Sequence, residues 1–274
     1  MSTSASPNLV AALSIAGSDS GGAAGIQADL LTFTACGVYG TTAITALTAQ
    51  NHVGITAVQA SPPAFVRAQI DQVLAYYPVR AIKIGMLLNT EIIEAVTEFV
   101  TASNKLPVVV DPVMISSSGA MLLEPASLQV FTQKLLPHAA LITPNFDEAA
   151  VLLGGKPEST PIAMEHAAIA LARLFGTAVL LKGGHFPLEP VLDVLAGPEG
   201  VRTRLRAPRI KGVDTHGGGC RLAAAITAYL ARGFGLVEAV EHGHAYLQSI
   251  LNAAPLEWKG RAILPQRLPG PEKS

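Results

Sequence analysis

Short apolar runs alternate with amphipathic stretches along almost the whole chain. The apolar runs predict strands at residues 9–15, 41–47, 81–84, 108–110, 139–142 and 178–181. Apolar positions with helical spacing predict helices at residues 26–35, 63–76, 90–102, 125–135, 163–175, 222–232 and 237–251. Because the apolar runs are continuous, they are typical of strands that are covered on both faces. The pattern therefore predicts an α/β fold with a mostly parallel central sheet and helices on both faces.

Glycine or a polar residue follows nearly every predicted strand. In chain order these residues include Gly17, Gln50, Gly85, Asp111, Asn145 and Lys182. Ligands of open α/β sheets bind at the carboxyl ends of the strands. The sequence therefore predicts a binding site at this edge of the sheet rather than a set of plain turns.

Three consecutive glycines, Gly217 to Gly219, precede a run of apolar residues with helical spacing. A flexible turn that opens a helix leaves backbone N–H groups unpaired, and the helix dipole favours negative charge there. We therefore expect a phosphate-handling site at this turn. Cys220 is interpreted as a base or nucleophile, because a helix N-terminus can lower a thiol pKa; a small buried side chain is the alternative. Arg221 opposes the helix dipole, which indicates a bound anion or a solvated side chain.

Other candidate positions have both a structural and a functional interpretation. Asn145 and Glu148 have the spacing of a helix capping box, and Glu148 could equally organise water around a Mg²⁺ ion carried by a nucleotide. Lys182 follows four apolar residues at a strand end, where its cation could face an anionic ligand. The glycine loop after the first strand matches neither a P-loop nor a dinucleotide fingerprint, so a turn capped by Asp19 or Ser20 is the favoured interpretation.

Composition narrows the function classes. Of the 274 residues, 50% are hydrophobic and 14% are charged, so a sizeable core is available. The net charge of −1 argues against a nucleic-acid-binding surface, and Arg202, Arg204 and Arg206 alternate as on the solvent face of a strand. The two cysteines, Cys36 and Cys220, lie far apart and suggest neither a zinc site nor a disulfide framework.

Sequence patterns also bear on location and domain organisation. No stretch has the roughly 20 consecutive apolar residues of a membrane span, and the first residues lack the pattern of a signal peptide. We therefore expect a cytoplasmic protein without a membrane partner. No internal repeat or composition break divides the chain, which predicts one domain at residues 9–263 between flexible tails at residues 1–8 and 264–274.

A set of ordered motifs extends from about residue 10 to residue 251. The motifs occupy residues 16–29, 45–51, 83–87, 111–114, 143–145, 182–185 and 215–217. Together they resemble the hydroxymethylpyrimidine/phosphomethylpyrimidine kinases of the ribokinase-like superfamily. The resemblance implies a ribokinase-like domain without a large lid. It also implies ATP-dependent phosphorylation of 4-amino-5-hydroxymethyl-2-methylpyrimidine and of its monophosphate, which gives the pyrimidine diphosphate precursor of thiamine.

The same resemblance implies roles for individual residues. The pyrimidine would be bound by Gly17, Asp29, Gln50, Met86 and Val113. The catalytic residues would be Cys220, Gly217, Gly219 and Lys182. ATP would be bound by Asn145, Glu148, Lys182, Gly218 and Arg221. Mg²⁺ would be held by Glu148, through water, and by Asp111. A homodimer is expected by analogy with the family.

Three positions depart from the family pattern. Gly218 and Arg221 replace two threonines in the glycine turn, and Ser117 replaces a lysine in the loop after Asp111. Arg221 could compensate for that lysine, since arginine binds phosphate well. Two alternatives to the pyrimidine kinase stay open. One is a pyridoxal or pyridoxine kinase, and the other is a pyrimidine-binding homologue with impaired catalysis that acts as a sensor or partner.

Overall fold

The computed structural model describes residues 9–102, 106–115, 119, 121–184, 186 and 188–266. The predicted tail at residues 1–8 lies outside this described part, as do residues 267–274 of the predicted C-terminal tail. Ser117 and His185 also lie outside it. Leu264, at the start of the predicted C-terminal tail, is buried. The single domain at residues 9–263 stays a prediction.

A central sheet with the strand order β3-β2-β1-β4-β5-β6-β7-β8-β9 runs through the described residues. Its strands are β1 (Ala11–Asp19), β2 (Tyr39–Asn51), β3 (Gly54–Ala60), β4 (Val79–Ile84), β5 (Val108–Val110), β6 (Leu141–Ile142), β7 (Ala178–Leu181), β8 (Val191–Gly197) and β9 (Gly200–Ala207). The strands from β2 to β7 in this order pair in parallel, and antiparallel β3, β8 and β9 complete the edges. The predicted mostly parallel sheet is confirmed.

Helices cover both faces of the sheet, as predicted. They are α1 (Gly25–Ala35), α2 (Pro63–Tyr76), α3 (Thr90–Ala102), α4 (Leu128–Val130), α5 (Phe146–Leu153), α6 (Pro161–Phe175), α7 (Gly218–Ala231) and α8 (Leu236–Leu251). Helices α2, α3, α5 and α6 contribute to the apolar core on one face. Helices α1, α7 and α8 contribute to the apolar clusters on the other. A separate hairpin, β10 (Leu256–Trp258) and β11 (Arg261–Ile263), follows α8.

Some elements differ from the prediction. Helix α7 begins at Gly218 instead of residue 222. Glycine is tolerated there because the N–H groups of a first helical turn have no partners within the helix. The predicted helix at 125–135 is divided into a 3₁₀ turn (Pro125–Ser127), α4 and a π-helical turn (Phe131–Leu135). Helix α5 was recognised only by its cap, because eight residues are too few for a clear helical period.

The position of β9 at the antiparallel edge of the sheet explains why the sequence did not predict this strand. Along β9, exposed and half-buried residues alternate, so it lacks the continuous apolar run of a central strand. The expected outward alternation of Arg202, Arg204 and Arg206 is confirmed. Among the described residues, every helix is too short or too polar to cross a bilayer.

Candidate active site

A cavity of about 440 Å³ opens at the carboxyl ends of the parallel strands. It brings together most of the predicted site residues, namely Gly17, Gln50, Met86, Asp111, Val113, Asn145, Glu148, Lys182, Gly217, Gly218, Gly219 and Cys220. They come from β1 and β2, from the segments that follow the other parallel strands, and from the N-terminus of α7. Asp29 and Arg221 are outside this lining.

One half of the cavity has an apolar wall. Met86 and Val113 pack in a small cluster with Leu122. A Cβ atom at Gly17 would lie 3.0 Å from the Met86 sulfur, so glycine keeps this part of the cavity open. The hydroxyl of Thr45 donates to the Met86 carbonyl over 2.6 Å and thereby holds the loop after β4 in place. This half can accept a flat ring.

Gln50 supplies polar groups beside the apolar wall. Its backbone N–H donates to Ser20 Oγ over 2.8 Å, and Ser20 Oγ donates to its carbonyl over 2.9 Å. Its side-chain nitrogen lies 3.0 Å from Nε2 of His216. Sequence reasoning did not connect Gln50 with His216, because 166 positions separate them and no local pattern relates the two.

The glycine turn at the N-terminus of α7 forms the floor between the two halves of the cavity. Gly217 has φ 80°, and a Cβ atom there would clash with the Ala23 carbonyl oxygen. A Cβ atom at Gly219 would lie 3.1 Å from Lys182 Nζ. At Gly217, only glycine can adopt the positive φ and also lie so close to the Ala23 carbonyl. The Gly218 N–H donates to the Thr215 carbonyl over 2.9 Å, and Lys182 lies beside the turn. A helix N-terminus beside a cation is suited to binding an anion.

Two carboxylates flank Lys182 in the other half. Its ammonium donates to Asp111 over 2.8 Å, and Thr143 donates to the same oxygen over 3.0 Å. Burial alone would raise the pKa of Asp111, but Lys182 and Lys83 together hold it below its ordinary value. Burial raises the pKa of Glu148 to about 7, with Lys182 opposing the rise and Asp111 adding to it. The Lys182 charge therefore acts on both carboxylates.

The capping interpretation of Asn145 and Glu148 is realised in the structure. Asn145 Oδ1 accepts from the Glu148 N–H over 2.9 Å, and Glu148 accepts from the Asn145 N–H over 2.7 Å. Both side chains also line the cavity. The cap fixes the position of Glu148 at the edge of the cavity, so the structural and functional interpretations are compatible.

The predicted low pKa of Cys220 is wrong. Burial raises the pKa of this thiol above its ordinary value, although the nearby Lys83 ammonium opposes the rise. The loss of hydration thus outweighs the favourable end of the helix dipole. Cys220 lies in the first turn of α7, is partly exposed and lines the cavity.

The structure places Asp29 beneath the cavity instead of in it. Its carboxylate is fully buried, accepts from Lys83 Nζ over 2.9 Å, and accepts from Ser14 Oγ over 2.5 Å. The expected contact of Asp29 with a pyrimidine is therefore corrected: α1 turns this residue toward the sheet. Lys83 is fully buried in β4, and a lysine inside the apolar run 81–84 was the signal that sequence reasoning missed.

Arg221 is also displaced from its expected role. The side chain is 1% exposed, and its guanidinium donates to the carbonyls of Ala23 over 3.1 Å and His216 over 3.5 Å. It follows Cys220 on α7 and therefore points to a different side of the helix. Arg221 ties the loop after β1 to the glycine turn, so the predicted contact with nucleotide phosphates is corrected.

Replacing Arg221 with methionine is expected to lower the free energy of unfolding by about 1–3 kcal/mol, because buried carbonyls lose their donor. The KM for ATP should stay unchanged, since the guanidinium does not reach the cavity. Urea unfolding and steady-state kinetics measure the two quantities. Arg206→Met, at an exposed position of β9, is the matched control. A large rise in KM with unchanged stability would restore the phosphate-binding role.

Comparison with known proteins identifies consistent similarities. A family model described as phosphomethylpyrimidine kinase matches residues 19–263. The hydroxymethylpyrimidine/phosphomethylpyrimidine kinase of Rhizobium meliloti is 46% identical over 89% of this chain and 91% of its own length. The crystal structure of a phosphomethylpyrimidine kinase from Clostridium difficile superimposes with a TM-score of 0.76 at 40% identity, covering 87% of this chain and 98% of that one. The crystal structure of an ADP complex of Bacillus subtilis pyridoxal kinase superimposes with a TM-score of 0.85 at 34% identity. It covers 94% of this chain and 98% of that one.

Proposed function

This chain belongs to the phosphomethylpyrimidine kinase family, and from that premise we propose how its cavity carries out the reaction. The chain is a phosphotransferase of thiamine precursor synthesis. It transfers the γ-phosphoryl group of ATP to 4-amino-5-hydroxymethyl-2-methylpyrimidine and then to the monophosphate. One observation carries the residue roles: a ring-sized apolar half and a charged half meet at the glycine turn of α7.

The apolar half binds the pyrimidine in this proposal. Gly17 leaves room for the ring, and Met86 and Val113 contact its faces. The Gln50 amide hydrogen-bonds the ring edge. The proximity of Gly17 to the Met86 sulfur supports this assignment, because any larger residue would narrow the slot. The hydroxymethyl group would then point toward Cys220.

The phosphoryl transfer takes place at the start of α7. The N–H groups of Gly217 and Gly219 receive the charge that develops on the γ-phosphoryl oxygens, and Lys182 neutralises part of it. The Gly218 N–H donates to the Thr215 carbonyl and holds the turn in shape beside the nucleotide. The proton of the hydroxymethyl oxygen passes to the sulfur of Cys220 in its thiolate form, which becomes the thiol. That oxygen bonds to the γ-phosphorus in line while the bond to the bridging oxygen of ADP breaks. Positioning and charge neutralisation supply most of the catalysis.

Mg²⁺ fits the charged half as an ion that enters with ATP. Mg²⁺ keeps several waters and uses few protein carboxylates. Asp111 and Glu148 offer two carboxylates, and their mutual repulsion contributes to the raised Glu148 pKa. In this proposal Glu148 holds the ion through water, Asp111 lies beside it, and Asn145 lines the adjoining nucleotide site. When bound, the ion neutralises phosphate charge.

A homodimer and a cytoplasmic location complete the proposal. The β2–β3 hairpin at the sheet edge carries the exposed apolar residues Leu47, Val53 and Val58. An exposed edge with apolar side chains supports pairing with a second copy. Sedimentation velocity tests the assembly, and a purely monomeric species at micromolar concentration would count against it.

A second candidate function is phosphorylation of pyridoxal. The similarity to the Bacillus subtilis pyridoxal kinase over 94% of this chain favours it, because related cavities accept another six-membered ring with a hydroxymethyl group. A catalytically impaired sensor has weaker support. Cys220, Lys182 and the glycine turn all meet at the cavity, and the departure at Arg221 lies outside it.

A substrate panel with Mg-ATP tests the function. Hydroxymethylpyrimidine should give the monophosphate and then the diphosphate, while pyridoxal should react more slowly. Mass spectrometry of the products measures both. A preference for pyridoxal would reassign the substrate. Absence of transfer to any compound by the folded protein would favour the sensor.

A further inference from the structure

The Gln50 amide lies between two side chains, each of which can hold one of its ends. Thr48 Oγ1 is 3.2 Å from one end, and His216 Nε2 is 3.0 Å from the other. The same Thr48 hydroxyl is 2.9 Å from the carbonyl oxygen of Ser18. Because oxygen and nitrogen of an amide are assigned from their hydrogen bonds, two orientations must be compared.

Hydrogen-bond counting separates the two orientations. A hydroxyl has one proton, so Thr48 donates either to Ser18 or to Gln50. If the amide nitrogen faces His216, Nε2 must be unprotonated to accept from it. The Thr48 hydroxyl can then donate to the Gln50 amide oxygen only if it loses its hydrogen bond to the Ser18 carbonyl. With the amide oxygen toward His216, Nε2–H donates to it, the amide nitrogen donates to Thr48, and Thr48 keeps Ser18. The second orientation makes one more hydrogen bond from the same groups.

The surroundings of His216 favour a proton on Nε2. Asp19 Oδ2 lies 3.8 Å from Nε2. Burial raises the pKa of Asp19, but the nearby His216 ring and hydrogen bonds from backbone N–H groups outweigh burial and hold it below its ordinary value. A carboxylate near Nε2 stabilises an N–H there. Other charged or titratable neighbours among the described residues include Asp214, which accepts from the His216 N–H over 3.0 Å, Arg221, which donates to the His216 carbonyl, and His52, whose ring centroid is 5.8 Å away.

We propose that His216 is a positioning residue that holds the Gln50 amide oxygen toward itself and thereby makes the cavity selective for an aminopyrimidine. The proposal deepens the proposed function and rests on its substrate class. Beside its hydroxymethyl group, the aminopyrimidine has an amine donor followed by a ring-nitrogen acceptor. Pyridoxal has a carbonyl acceptor followed by a hydroxyl in the corresponding places. An amide that is held in one orientation matches the donor–acceptor order of the aminopyrimidine. The flipped amide matches the reverse order, which is that of pyridoxal.

The first test uses the free protein and is independent of substrate. Long-range ¹H–¹⁵N correlation spectra of histidine-labelled protein at neutral pH report which ring nitrogen of His216 carries a proton. His216→Phe identifies the signal. A proton on Nε2 is expected, and an unprotonated Nε2 would overturn the proposal. Because no substrate is present, this result is separate from any failure of the proposed kinase function.

The second test measures selectivity. His216→Phe keeps a ring but removes the donor, so the Gln50 amide can flip. The KM for hydroxymethylpyrimidine should rise about tenfold, roughly the value of one hydrogen bond, and kcat should change far less. The preference for hydroxymethylpyrimidine over pyridoxal in kcat/KM should fall by a similar factor.

Two further variants separate positioning from a structural role. His216→Gln, whose amide can still donate, should recover part of the preference. His52→Phe changes the neighbouring ring and should leave the preference intact. Equal losses for both substrates in His216→Phe, or an equal loss of preference in His52→Phe, would overturn the proposal.

Discussion

Replacing Cys220 with alanine is expected to lower kcat for the hydroxymethyl alcohol by about 10²–10⁴-fold, the usual contribution of a positioned base. The sulfur lies in the first turn of α7 and lines the cavity, and in the proposed reaction it takes the alcohol proton. Pyrimidine and ATP binding should change little, because the glycine turn and Lys182 remain. Stopped-flow or steady-state kinetics with both substrates saturating measure the loss.

The pH dependence of the wild-type rate follows from the same assignment. Burial raises the pKa of Cys220 above its ordinary value of 9.0, so the thiol form predominates in the free protein at neutral pH. The base is the thiolate, whose fraction grows as pH rises toward that pKa. The wild-type kcat for the alcohol should therefore increase with pH in the alkaline range, whereas that of Cys220→Ala should not.

The second phosphorylation provides an internal control. The monophosphate attacks through a phosphate oxygen that is already largely deprotonated at neutral pH, since its second pKa is about 6. Cys220→Ala should therefore impair the first step far more than the second. Cys36→Ala, which removes the other cysteine away from the cavity, should affect neither. Equal impairment of both steps, or unchanged turnover, would contradict a base role for Cys220.

Replacing Lys83 with methionine is expected to lower the free energy of unfolding by about 3–5 kcal/mol, the usual cost of leaving one partner of a buried ion pair unpaired. Lys83 and Asp29 are both fully buried, and their charged atoms are 2.9 Å apart. Methionine preserves most of the side-chain volume, so the lower free energy of unfolding reflects the missing charge and not a new cavity. Chemical denaturation monitored by circular dichroism measures it.

The pH dependence of this variant identifies the unpaired carboxyl. Burial raises the pKa of Asp29, and Lys83 opposes that rise. Without Lys83 the folded state holds a proton on Asp29 at pH values where the unfolded state, with a pKa near 3.8, has released it. The difference in unfolding free energy between the wild type and Lys83→Met should therefore increase as the pH rises from 3.8 through the raised pKa of Asp29. It should decrease as the pH falls back toward 3.8.

A double variant is the matched control for the ion pair. Lys83→Met with Asp29→Asn removes both charges and keeps a polar partner for Ser14. It should recover much of the lost stability and lose the pH dependence. If the double variant is as unstable as Lys83→Met at every pH, the loss comes from packing and the ion-pair account is wrong.

The order of strands and helices could be read from the chain because burial on both faces leaves a local signature. Apolar runs such as Val108–Val110 and Ala178–Leu181 were predicted with the bounds that the structure shows. Strand β9 was harder to assign, because an edge strand buries only alternate residues. The cavity-lining positions on the sheet could be predicted too, since positions such as Gly17, Asp111 and Lys182 follow apolar runs that end at the same sheet edge. The glycine turn of α7 was predicted from its three consecutive glycines.

The sequence by itself determined the α/β fold, the sheet edge that carries the site and the family to which the chain belongs. Only the tertiary structure decided which partner each polar side chain meets. It paired Asp29 with Lys83 across 54 positions, Arg221 with Ala23 across 198, and Gln50 with His216 across 166. The spacing of apolar residues shows which face of a helix or strand is buried. The identity of the covering residue depends on the packing of distant elements and leaves no pattern in the neighbouring sequence.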